Sequence, residues 1–398
     1  MRIQFSRGPA VLITAAFIGP GTLTMCIMAG VQHGFSLLWA MLLSILITIF
    51  VQNTAAQIAW TTRRGLARSM LMHTSSRTAK ALLSTLLIMA IFLGNAAYEA
   101  GNLSGAVIGI KGIVPGDILL FNGIDFLPFL FGGLVALFLW RGTFKGLQHT
   151  LMAIVFLMSA SFIITAIITR PNLDSIITGL FFPRLATTDA LTILGLLGTT
   201  VVPYNLFLHA AMVAQSPNLS LAELKKDTYM AVGLGGVISL CIIISAAALE
   251  GTNIAGVQDV GNALAPMYGR FAHLLMSFGY FAAGLTSAIT APMAAAFVVS
   301  ECFQFSSHSS AYKGIAIIVL LTGIYFTTFD IIPFEIIRMA QIANGILLPV
   351  LGVILLWMIN NAKLMRGKTA SLFTTTGVVF VLFFFIFLGI KSLGFLLE

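Results

Sequence analysis

Between residues 191 and 213 the chain carries no Asp, Glu, Lys or Arg and is long enough to cross a bilayer. Pro203 stands near the middle of that run. A helix in hydrocarbon has no water to repair a lost backbone bond, and proline has no N–H and clashes with the preceding turn. The helix must therefore break or kink there. The stretch around it reads Gly198-Thr199-Thr200-Val201-Val202-Pro203-Tyr204-Asn205, so four polar side chains cluster at the interruption. An early segment repeats the device: Gly19-Pro20-Gly21-Thr22 lies inside the apolar run from 9 to 32. A single kink is a tolerated feature of membrane helices. Two interrupted helices, each the first long span of its half, point to a binding site at the bilayer midplane.

Composition sets the rest of the class. Of 398 residues, 59% are hydrophobic and 9% charged, whereas soluble domains carry about 25% charge. Mean hydropathy is +1.02. The chain reads as one polytopic all-α membrane bundle, 1–398, with the lipid bilayer as its main partner. The net charge of +8 does not indicate nucleic acid, because the basic residues sit in short loops between apolar spans. Cys26, Cys241 and Cys302 are odd in number and lie in or beside spans, as buried small hydrophobes do. No cleavable signal pattern is expected, since the first apolar run is long enough to span and follows Arg2 and Arg7.

Hydropathy predicts eleven spans, at about 9–32, 35–60, 80–108, 126–140, 147–169, 188–214, 228–249, 266–300, 313–329, 336–359 and 371–393. The fourth is short. The eighth is long enough to tilt or to contain an interfacial turn. With the N-terminus in the cytoplasm, inside loops collect Arg63, Arg64, Arg68, Arg77 and Lys80, then Arg141, Lys145, Lys225, Lys226, Lys313, Lys363, Arg366 and Lys368. Outside are Lys111, Arg170, Arg184, Arg270, Arg338 and Lys391. The bias places the N-terminus inside and the C-terminus outside the cell membrane. Five spans per half is odd, so 9–169 and 188–359 form two repeats of opposite orientation, with 371–393 added. This is a leucine-transporter-like arrangement with broken helices 1 and 6.

Particular segments then resemble the Nramp family of proton-coupled divalent-metal transporters over nearly the whole chain. AFIGPGTLTMCIMAGVQHGFSLLW resembles the family's first span, and GTTVVPYNLFLHAAMV (198–213) its sixth, where the family usually reads Met-Pro-His-Asn-Leu-x-Leu-His. YEAGNLSGA (98–106) resembles the third, and Gln341 followed by Pro349 the tenth. The departures fall on the chemistry. Where the family reads Asp-Pro-Gly-Asn and binds metal through both polar side chains, this chain has Gly19 and Thr22. The family's methionine ligand is Val202, its carbonyl-donating alanine is Thr199, and its first histidine is Tyr204. His209 and Gln341 are kept. The acidic residue that the family uses for proton passage matches Glu99, and its Asp partner falls at Ala96.

A carboxylate with a thioether suits manganese, iron and cobalt. Without them no fixed negative charge offsets desolvation of a divalent ion at this site. Hydroxyls, freed carbonyls and an amide remain, a set fit for a partly hydrated hard cation, a monovalent ion, or a neutral or zwitterionic solute. Half-helix N-termini after Gly21 and Pro203 would favour an anionic group.

Each singled-out residue has a plain structural alternative. Glu99 is ionisable at mid-span, which marks function, or it hydrogen-bonds Asn95, Asn102 or a neighbouring helix. His209 relays protons or completes a packing network. Tyr204 gates the site or bonds across helices. Gln341 and Asn344, about one turn apart, bind substrate or hold helices together. Met25, Met28 and Met212 lie near the breaks, but in a chain with 17 methionines they read as packing. The expectation is a secondary-active transporter of Nramp type, moving a divalent cation of the magnesium or manganese class by alternating access. Gly19, Thr22, Thr199, Val202 and Gln341 line its site. Thr22, Thr199 and Gln341 are the candidate metal ligands, and Glu99, Tyr204 and His209 serve coupling and gating. No cofactor is expected besides a transported cation with H+ as coupling ion, and the single bundle is expected to work alone. The alternatives are a same-fold carrier of an amino acid or small organic ion, and a sensor that kept the fold without transport. No Walker loop, hydrolase triad or metallohydrolase spacing supports an enzyme.

Overall fold

A computed structural model describes residues 18–74, 76–114, 120–121, 124–141, 145–183, 190–216, 218–251, 259, 261–306, 309–328, 333–367 and 369–397. The described residues are helical apart from a two-residue antiparallel ladder, Leu120–Phe121 with Ile124–Asp125, beside which Lys111 and Asp125 pair at 2.6 Å. Nine helices among them are long and apolar enough to cross a membrane.

In chain order the α-helices of the first half are α1 (Pro20–His33), α2 (Leu38–Thr62), α3 (Leu66–Met72), α4 (Arg77–Ile113), α5 (Leu127–Arg141), α6 (Lys145–Ile168) and α7 (Leu173–Phe181). The second half holds α8 (Ala190–Thr200), α9 (Pro203–Ala214), α10 (Leu221–Ala246), α11 (Ala265–Tyr268), α12 (Ala272–Phe303), α13 (Ser310–Thr328), α14 (Pro333–Asn360) and α15 (Leu372–Leu397). Every expected span has its helix. The first part of span 1, residues 9–17, lies outside the described residues.

Proline opens a helix at both expected positions. Gly19 is extended (φ −91°, ψ 174°) and Pro20 is the first helical residue of α1, the position where its missing N–H costs nothing. Val202 is extended (φ −80°, ψ 119°) between α8 and α9, and Pro203 opens α9. Span 8 contains the interfacial turn: α11 ends at Gly269 (φ 50°), a short 3₁₀ turn follows, and α12 begins at Ala272. At 37 residues α4 is about 55 Å long, well beyond a hydrocarbon core of about 30 Å, so it projects past the bilayer. Its start is capped by the Ser76 hydroxyl, which accepts the Ala79 N–H. Two helices were not expected. One is α3, and the other is α7, capped by Asn172 and bearing exposed Leu173, Ile177 and Phe181.

The bundle is apolar outside and carries its polar groups within. Leu372, Phe373, Ile167 and Phe383 are exposed, while Glu99, Asn95, Asn102, His209, Gln341 and Asn344 are buried. Helices α4 and α12 form the central pair. A Cβ on Gly284 would lie 2.6 Å from the Asn102 carbonyl oxygen, and one on Gly109 would lie 2.6 Å from that of Ser277. Such backbone contact needs small residues at the crossing, as membrane helix packing requires.

Candidate functional site

The two breaks meet α14 at Gln341. A Cβ on Gly21 would collide with the Gln341 amide, and one on Gly198 would collide with the Gln341 backbone carbonyl. The same amide meets the Tyr98 hydroxyl from α4. Tyr98 stacks edge-on against Tyr204 of α9, with ring centroids 5.4 Å apart. Val202 belongs to the same cluster, with Ala291 and Ala294 of α12. Of the expected residues, Gly19 and Thr22 stand at the start of α1, Thr199 in the last turn of α8, and Val202 and Tyr204 at the start of α9, while Gln341 is met by their neighbours Gly21 and Gly198. All of them are buried. Thr199 turns its hydroxyl back to the Leu196 carbonyl of its own helix at 2.7 Å.

Of the expected coupling residues, Tyr204 lies close enough to Glu99 to interact electrostatically, while His209 is held by a different helix. Glu99 is fully buried on α4, packed against Gly323 of α13. Its Oε2 accepts a long 3.5 Å bond from the Asn102 amide, and its Oε1 has no partner. His209 Nδ1 lies 2.6 Å from Gln52 Oε1 of α2, so the N–H donates there and Nε2 is left bare, buried and unpartnered. Asn95 Oδ1, Gln341 Oε1 and Asn344 Nδ2 are likewise buried without partners. An orphaned buried polar group costs about 1–3 kcal/mol. Several of them lie on α4 and α14, the helices that carry Tyr98 and Gln341.

Sequence reading missed four contributors. Tyr98 was passed over beside Glu99. Ser287 of α12 stands 3.3 Å from where a Gly19 Cβ would be. Ser44 bonds the Thr200 hydroxyl across 156 residues of chain, and Gln52 bonds His209 across 157. A signal for the last two existed: Ser44, Thr48 and Gln52 recur at four-residue steps, on one face of α2, and all three are buried. Helix α2 therefore splints both halves of span 6. Gln52→Leu is expected to strand the His209 Nδ1 donor and cost about 1–3 kcal/mol, seen as a lower melting temperature in detergent. Unchanged melting would show that the bond carries no weight.

The electrostatics favour a cation on one side of the break. Pro203 cannot donate to the Thr199 carbonyl, so the C-terminal carbonyls of α8 are left with a partial negative charge. These carbonyls, Gln341 Oε1 and the Thr22 and Thr199 hydroxyls are neutral oxygens. Among the described residues no three His, Cys, Asp or Glu side chains cluster as a metal site. These oxygens are hard and uncharged donors.

Residues 10–394 match the family model described as natural resistance-associated macrophage protein-like. The chain belongs to the Nramp family. A divalent metal cation transporter MntH of Aeromonas hydrophila is 25% identical over 309 residues, covering 75% of this chain and 74% of its own. One of Deinococcus radiodurans is 27% identical over 314 residues, 74% of this chain and 68% of its own. One of Acidiphilium cryptum is 25% identical over 380 residues, 91% of this chain and 85% of its own. The crystal structure of the Eremococcus coleocola manganese transporter in complex with an aromatic bis-isothiourea compound superposes with TM-score 0.73 at 20% identity, covering 97% of this chain and 85% of that one. MhsT in complex with L-phenylalanine superposes at 0.64 and 16% identity, covering 99% of each. The two superpositions establish a shared fold. This Nramp chain is a multi-pass membrane protein of a transporter family.

Proposed function

We propose that this Nramp protein carries a divalent metal cation across the cell membrane by alternating access, holding it on neutral oxygens at the two breaks. The observation that carries the reading is Gln341 itself: its side-chain amide, with Oε1 unpartnered, lies against Gly21 of α1, and its backbone carbonyl lies against Gly198 of α8. The family and the MntH relatives support a divalent metal as cargo. The chain's own residues modify its class. Val202 offers no thioether and Gly19 no carboxylate, so nothing in the site selects soft transition metals over a hard ion. Magnesium, which keeps part of its water, fits this set as well as manganese does.

Proton coupling belongs to the same proposal. Glu99 is the buried carboxyl nearest the centre, next in sequence to Tyr98, and it can hold or release a proton where glutamine cannot. Loop charges support an N-terminus in the cytoplasm and a C-terminus outside, and spans 1 and 6 rock against the rest of a single bundle around a midplane site. The protein is not expected to catalyse a reaction.

The test is uptake into proteoliposomes holding a divalent-sensitive dye, with magnesium and manganese offered separately at two pH values. Both ions are expected to enter, with magnesium no slower than manganese. Glu99→Gln is expected to flatten the pH dependence while leaving melting unchanged. A pH profile kept in that variant removes Glu99 from coupling. Entry of neither ion, with uptake of an amino acid or organic ion instead, overturns the metal reading.

A further inference from the structure

A cavity of about 170 Å3 opens where the end of α12, the short α3 and the first turns of α4 meet, apart from both breaks. Arg68, Lys80, Ser84, Glu301 and Gln304 supply its polar lining. The Glu301 carboxylate sits over Gly65 at the start of α3, where the backbone N–H groups of Gly65, Ala67 and Arg68 favour its charged form. These are orphan donors at the start of α3, and a carboxylate there also offsets the positive helix end. Its Oε2, however, is buried and has no hydrogen-bond partner. Arg68 lies close enough to interact electrostatically with Glu301, and exposed Lys80 adds a second cation. The pocket thus sets an unpartnered carboxylate oxygen beside two exposed cations. From it a stripe of exposed side chains runs down α4: Leu82, Leu86, Met89 and Leu93, at steps of four, three and four residues. That spacing is one helix face.

We propose that this pocket is a binding site for phosphatidylethanolamine. The ammonium donates to Glu301 Oε2. The phosphate accepts from Arg68 and Lys80, with the Ser84 hydroxyl and Gln304 amide as further donors. An acyl chain lies along the Leu82–Leu93 face. Both headgroup charges are matched, which neither of the other common headgroups achieves. Phosphatidylcholine has no N–H to give Glu301, and phosphatidylglycerol has no cation for it. Basic pockets beside membrane helices are established lipid-reading features; the buried carboxylate oxygen narrows this one to an amine-bearing lipid.

The experiment is native mass spectrometry of the full-length protein in detergent, titrated with phosphatidylethanolamine, phosphatidylglycerol or phosphatidylcholine. Phosphatidylethanolamine is expected to bind about tenfold more tightly than either other lipid. Glu301→Gln keeps an oxygen for α3 and is expected to erase that preference. Lys80→Ala, at an exposed position that folding does not need, is expected to weaken binding of all three phospholipids. Equal binding of phosphatidylglycerol, a preference that survives Glu301→Gln, or binding indifferent to Lys80→Ala would each overturn the assignment. Soluble phosphoethanolamine that competes as strongly as the lipid would show a small-molecule site instead and overturn it too.

Discussion

Gly198→Ala is expected to lower the melting temperature by several degrees and cut transport roughly tenfold or more. The new methyl would land on the backbone carbonyl of Gln341, with the Gln341 carbonyl carbon 2.9 Å and the Gly345 nitrogen 3.1 Å away. None of these atoms can swing aside as a side-chain end can. Helices α8 and α14 would have to separate, and overpacking of this kind costs about 1–3 kcal/mol, occasionally more. The same separation displaces the Gln341 amide from the breaks, so binding falls with stability; a factor of ten corresponds to about 1.4 kcal/mol. Gly233→Ala is the control, because nothing lies within 4 Å of its added methyl. A Gly198→Ala protein that melts and transports like the parent would show that α8 and α14 are not this close.

The second large effect comes from restoring fixed charge and a soft ligand together. Gly19→Asp, Thr22→Asn and Val202→Met in one protein is expected to raise manganese affinity by two or more orders of magnitude and to favour manganese over magnesium. A carboxylate about 4 Å from a cation contributes about 4 kcal/mol per unit of cation charge at an effective dielectric constant near 20. Desolvation of the new Asp offsets part of this, yet 1.4 kcal/mol already makes a factor of ten. The thioether adds the preference for transition metals. Sterically the sites differ. A Cβ at Gly19 meets only the Ser287 hydroxyl at 3.3 Å, a contact that a small shift relieves. Val202 is buried among Tyr98, Tyr204, Ala291 and Ala294, so methionine there relies on its flexibility. Manganese titration by calorimetry, with uptake in parallel, measures the gain. No gain in a protein of normal melting temperature would mean that residues 19, 22 and 202 do not face one ion.

Local chemistry made much of this protein legible. Spans are runs of apolar residues, and each had its helix because hydrocarbon leaves the backbone no other choice. The breaks were legible because proline acts on its own turn. Pro20 and Pro203 open α1 and α9 where their missing N–H groups require. Short helices were not legible: α7 has 9 residues and α3 has 7, too few for a hydropathy window to separate from a loop.

The site divides along the same line. The sequence by itself determined which residues stand at the breaks, that Glu99 and Gln341 are polar groups inside the bilayer, and that the family's carboxylate and thioether are absent. It took the packing of helices to bring α1, α4 and α8 to Gln341, to turn His209 to Gln52 and not to Glu99, and to set the Glu301 carboxylate over the start of α3. The reason is physical. Hydropathy and proline act within one turn of the chain, whereas a hydrogen bond such as Ser44 to Thr200 joins residues 156 apart. Such a pairing depends on how helices cross, and the crossings are set by glycines such as Gly198 and Gly284, whose partners lie on other helices.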